Sequence, residues 1–97
     1  MTVLYTATAL AEIEDICSYI AKDNERAAAN VTVAIEHAVA AIAKRPQSAP
    51  IVHEGRIRAK LVGRYQYRIF YEIAGADVII RNVRSTRRLR PWESSEQ

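Results

Sequence analysis

The residues from Tyr65 to Ile73, Tyr-Gln-Tyr-Arg-Ile-Phe-Tyr-Glu-Ile, constrain the fold more than any other stretch of this chain. Four aromatic and two β-branched side chains in nine positions favour an extended strand over a helix. Side chains alternate along a strand, so Tyr65, Tyr67, Ile69, Tyr71 and Ile73 share one face, and Gln66, Arg68, Phe70 and Glu72 share the other. The first face is apolar enough to floor a core. The second sets Arg68 in the middle of a sheet surface, where a cation calls for a carboxylate partner or an anionic ligand.

The flanking residues supply the rest of a sheet. Arg56 to Val62 alternates, with Arg56, Arg58 and Lys60 on one face and Ile57, Ala59 and Leu61 on the other. Gly63-Arg64 turns the chain into the central strand, and Ala74 to Asp77 turns it out again into a strand over Val78 to Val83. Three strands joined by short turns predict an antiparallel meander whose apolar face needs a cover.

That cover lies upstream. After a short β-prone opening at Thr2 to Thr6, Leu10, Ile13, Ile16 with Cys17, and Ile20 recur at helical spacing between a Thr8 cap and Lys22. Asn24 can cap a second helix from Glu25 to Arg45, its stripe formed by Ala28, Val31, Ile35, Ala38, Val39 and Ile42. The very short connection between the two predicts an antiparallel helix hairpin. Pro46 ends the second helix, and residues 46–55 read as a loop. The expected fold is α+β: an N-terminal strand and a helix hairpin packed on one face of a mainly antiparallel sheet, in a single domain over 1–92 with a frayed tail at 93–97.

With 97 residues there is room for one core. No apolar run reaches the roughly 20 residues that cross a bilayer, and the first residues lack the pattern of a signal peptide, so a cytoplasmic protein without membrane contact is expected. The lone cysteine, Cys17, reads as a buried thiol. His37 falls on the solvent side of the second helix and His53 in a loop, a pattern that supplies no metal site, and no cofactor is expected.

Charge is unevenly distributed. Residues 1–50 hold four bases against six acids, a net −2; residues 51–97 hold ten bases against five acids, a net +5. Nine of those ten bases are arginine, which suits bidentate contact with phosphate or carboxylate. An anionic macromolecular partner follows, with Arg56, Arg58, Lys60, Arg68, Arg84, Arg87, Arg88 and Trp92 as candidate target-binding residues.

The order strand, two helices, three strands resembles the RelE/ParE superfamily of toxins from bacterial type II toxin–antitoxin modules. The resemblance rests on Ala11-Glu12-Ile13-Glu14-Asp15-Ile16 with Tyr19-Ile20-Ala21, on Asn24 to Ala28, on Pro46, on Tyr67-Arg68-Ile69-Phe70-Tyr71, and on Val83 to Arg88. It implies a toxin neutralised by direct binding of a cognate ParD-like or RelB-like antitoxin in a hetero-oligomer. The target implied is DNA gyrase in the ParE-like branch, which is favoured here, or the ribosome in the RelE-like branch. A RelE-like endoribonuclease would draw on Lys60, Arg68, Arg84 and Arg87, but Ser85 stands where the family often has histidine and Trp92 where the RNA-cleaving branch tends to carry tyrosine. Those departures favour a binding toxin over an enzyme. A nucleic-acid-binding module without toxicity, with Arg84, Arg87, Arg88 and Arg90 as a phosphate-contacting tail, is a further alternative. A disordered antitoxin segment would need an apolar groove, expected along the helix hairpin and the sheet edge.

Overall fold

The computed structural model describes residues 1–88 and 90–93. Leu89 and the end of the expected frayed tail, 94–97, lie outside the described residues. The elements are β1 (Thr2–Tyr5), α1 (Ala7–Ala21), α2 (Glu25–Lys44), β2 (Ile51–His53), β3 (Ile57–Leu61), β4 (Tyr67–Ala74) and β5 (Asp77–Ser85). The five strands form one sheet in the order β1-β5-β4-β3-β2, antiparallel except where β1 runs parallel to β5. The two helices cover one face, α1 against β5 and α2 against β3.

The helix hairpin forms where periodicity placed it, with one change at its start. Thr6, not Thr8, caps α1: its Oγ1 accepts from the Ala9 amide at 3.0 Å and donates to the Arg81 carbonyl at 2.8 Å. The same residue closes the β1–β5 ladder, its amide donating to Ile80 O, so strand exit and helix entry share one side chain. Ala9 is fully buried at the contact, whereas Leu10, expected on the apolar stripe, is 54% exposed. Asn24 caps α2 through Ala27 N, and all six residues of the expected α2 stripe are buried. Cys17 is only half-buried; its Sγ lies 3.1 Å from Thr32 Oγ1 and links the helices.

β4 alternates as expected: Ile69 and Tyr71 are fully buried beneath the helices, and Arg68, Phe70 and Glu72 face the other way. β5 must place Val78, Ile80 and Val83 all on the helix side, which strict alternation forbids. A bulge solves this. The ladder steps from Phe70↔Asn82 to Tyr71↔Ile80, leaving Arg81 as the extra residue and resetting the phase so that Val83 points inward.

Two expectations about the remaining strands are overturned. Residues 51–53 form a short strand rather than loop, paired with β3 through a tight turn in which Glu54 and Gly55 take positive φ. His53 therefore sits on a strand. The faces of β3 are also exchanged: Arg58 and Lys60 lie opposite Tyr71 and Ile69, on the helix side, while Ala59 and Leu61 lie opposite Phe70 and Arg68. The open face is not bare enough to repel Ile57, because the C-terminal segment folds back over it. Trp92 stacks on His53 with ring centroids 4.0 Å apart and meets Phe70 edge-on at 5.4 Å. Ile57 and Phe70 are thus buried in a second, smaller apolar cluster on the side away from the helices.

Candidate functional site

Cross-strand register decides which cations meet. Leu61, Arg68 and Arg84 stand side by side on the open face of three adjacent strands. Two arginines directly opposite each other repel unless something neutralises them. Glu12, on the second turn of α1, reaches the β5 edge just beyond the end of β1. Its Oε2 accepts from Arg84 Nε at 2.9 Å, and its Oε1 accepts from the Val83 amide at 2.9 Å and from Asn82 Nδ2 at 3.2 Å. A carboxylate thus replaces the missing strand neighbour and fixes Arg84. Arg68 has no ion pair or side-chain hydrogen bond among the described residues.

The other candidates divide by environment. Arg56 pairs with Glu54 at 3.1 Å and with Glu72 at 3.6 Å, and Glu72 also holds the bulged Arg81 at 2.6 Å. Arg58 is structural: its Nη1 donates to Gln47 O at 3.1 Å and Ala49 O at 2.7 Å, anchoring the loop after α2. Beside it the Tyr71 hydroxyl donates to Pro46 O at 2.7 Å. Burial pushes that phenol above its ordinary 10.0, while the Arg58 charge and the Ala49 backbone pull the other way. Arg87 and Arg88 are exposed in the turn after β5, and Trp92 is committed to His53 and Phe70.

Three cations border one open cavity of about 480 Å³ at the outer edge of β3, where β2 stops pairing: Lys60 from the helix side, Arg68 from the open face and Arg90 from the C-terminal segment. Its remaining walls, Ser48, Ala49, Pro50, Val52, Ala59 and Leu61, contribute no carboxylate. Sequence reasoning singled out Lys60 and Arg68 as target-binding residues and Arg90 only as part of a phosphate-contacting tail, without bringing the three together, and it missed Glu12 and Glu72 as the carboxylates that select which arginines stay available. The signal for Glu12 was weak, since an acid on a helix face usually means only solvent exposure. Tyr65 and Tyr67 pack against the core and Tyr71 is fully buried, so no tyrosine hydroxyl joins this cation group.

A second recess of about 290 Å³ runs between α2 and the β3 edge, lined by Ala34, His37, Ala38, Ala41, Lys60, Leu61 and Gly63. Small side chains keep it shallow and apolar, and Leu61 beside it is 53% exposed. No group of three or more His, Cys, Asp or Glu among the described residues could hold a metal ion, and none of the described helices is long and apolar enough to cross a membrane.

The model of the family described as "ParE toxin of type II toxin-antitoxin system, parDE" matches residues 3–90. Among solved structures, the chain is similar to one titled "Chromosomal ParDE TA system from P. aeruginosa", with a TM-score of 0.76 at 17% identity, covering 88% of this chain and 95% of that one. At that identity the likeness speaks to the fold. No curated protein matches.

Proposed function

Because the chain belongs to the ParE toxin family of type II toxin–antitoxin systems, we propose that it acts in the cytoplasm on DNA gyrase and is held inactive by direct binding of a cognate antitoxin. One observation carries the choice of a binding toxin over a ribonuclease. Cleaving RNA by 2′-hydroxyl attack needs a base, a phosphate-neutralising group and an acid on one surface. Here Lys60 and Arg68 border one cavity, but Arg84 is held away from it by Glu12, and Tyr65, Tyr67 and Tyr71 are turned to the core, so no tyrosine stands beside the cations as the acid. That distribution favours recognition over proton transfer.

The alanine-lined recess beside α2 is the surface we assign to the antitoxin. A disordered segment folding there would bury Leu61 and the small side chains of α2, where close backbone approach is cheap. Charge on the cavity beyond it, from Lys60, Arg68 and Arg90, suits contact with an anionic partner.

The test is expression with and without the adjacent reading frame, followed by supercoiling assays with purified gyrase. Growth arrest relieved by the neighbouring gene, together with loss of supercoiling, is expected. Codon-dependent mRNA cleavage on ribosomes with gyrase unaffected would overturn the reading.

A further inference from the structure

The charges of this protein are sorted along the sheet axis, and the sorting points beyond a protein partner. β3 and β5 end, and β4 begins, at the same end of the sheet. That end carries Lys60, Arg64 in the turn before β4, Arg68, Arg87 in the turn after β5, and Arg90. None of the five side chains is ion-paired among the described residues. Glu54, Glu72 and Asp77 lie at the opposite end, where Glu54 and Glu72 neutralise Arg56 and Arg81. On the α1 side, Glu12 holds Arg84 and Asp15 shares a recess with Arg88, so those two arginines stand apart from the group.

We propose that this end of the sheet binds the phosphate backbone of duplex DNA directly, without gyrase or antitoxin. Five cations without an ion pair among the described residues, Lys60 and Arg68 on neighbouring strands about 4.8 Å apart and Arg64, Arg87 and Arg90 in the turns and segment beside them, suit a row of anions rather than a single carboxylate, the one nearby acid being Glu93 at the Arg90 amide. Four of the five are arginine, whose fork matches phosphate oxygens. Duplex is favoured over single strands because single-strand sites need free aromatic faces for bases to stack on. Trp92, His53 and Phe70 are occupied with one another, the Arg64 guanidinium lies over the Tyr65 ring and Tyr67 packs on the core, while the exposed Tyr19 lines the separate recess shared with Arg84 and Arg88 rather than standing among the five cations. The inference stands whether or not gyrase is the target.

Fluorescence anisotropy of the full, antitoxin-free chain with a labelled duplex of arbitrary sequence tests it. With four to five phosphate contacts at about 0.9 counterions each, affinity should fall roughly 150- to 500-fold between about 50 and 200 mM salt. The triple variant Lys60→Gln, Arg68→Gln, Arg90→Gln should leave two contacts and a fall of about 10-fold, whereas Arg26→Gln on α2 should keep the full slope. A circular dichroism spectrum like that of the unsubstituted chain certifies that the triple variant is folded. No duplex binding at low salt, an unchanged slope in the folded triple variant, tighter binding of a single strand, or equal displacement of DNA by polyglutamate at matched charge would each overturn the proposal. Failure of the gyrase assay alone leaves this result unaffected, since no gyrase is present.

Discussion

Arg84 and Glu12, 72 residues apart in sequence, are joined by a 2.9 Å hydrogen bond between Nε and Oε2, with side chains only 20% and 13% exposed. The pair does two jobs at once. It ties α1 to the sheet where β1 has ended, and it leaves Arg68 as the arginine of the central row without a carboxylate.

Removing that carboxylate should therefore be costly. Glu12→Ala strips Val83 N and Asn82 of their acceptor and leaves Arg84 half-buried beside Arg68, for an expected loss of about 3 kcal/mol. Urea unfolding measures it. Glu12→Gln, which keeps an acceptor for Val83, should lose less than the alanine variant.

Arg58 and Arg68 should behave in opposite ways although both are arginines on adjacent strands. Arg58→Ala frees two loop carbonyls, and about 2 kcal/mol of stability should be lost. Arg68→Ala should shift the unfolding free energy by no more than about 0.5 kcal/mol while lowering toxicity on expression. Full toxicity in a folded Arg68→Ala chain would remove Arg68 from the proposed target surface.

Tyr71 makes a prediction about alkaline pH. Its folded pKa is raised, first by burial, so the protonated phenol contributes stability that is complete below about 10 and is lost as pH climbs through the folded value. Tyr5, raised by burial and then by Glu36, adds a share of the same sign. Tyr71→Phe should cost about 1 kcal/mol at neutral pH through the lost bond to Pro46 and should flatten the decline above pH 10.0 without abolishing it. Thermal melts across that range read both effects.

Trp92 is the single tryptophan and reports the C-terminal segment directly. His53→Ala removes its stacking partner, so emission should move to the red as the indole meets water, while far-ultraviolet circular dichroism stays unchanged. Trp92→Ala should cost about 2 kcal/mol, the stack on His53 and the edge contact with Phe70 being lost together.

How much of this was legible varied by element. The α2 stripe from Ala28 to Ile42 and its Asn24 cap could be read from spacing alone, since a helix needs only its own period and its own end groups. The central strand was equally plain, because Tyr67, Ile69 and Tyr71 leave one apolar face and Arg68 and Glu72 mark the other. β3 misled. Its alternation was clear, but which side met the helices was not, because the choice depends on what covers each face. Arg58 finds backbone carbonyls from the loop after α2, Lys60 borders a recess with the small alanines of α2, and Ile57 lies on the far side with Phe70 and Trp92.

By itself the sequence determined that two amphipathic helices would cover a meander and that its arginines would crowd into the second half. Those properties follow from local periodicity and composition, which need no partner to be expressed. The tertiary structure alone decided which arginines remain uncompensated. That depends on the Arg81 bulge and on Glu12 arriving from 72 residues away, because Coulomb attraction and hydrogen bonding depend on distance and direction in space, which position along the chain does not specify.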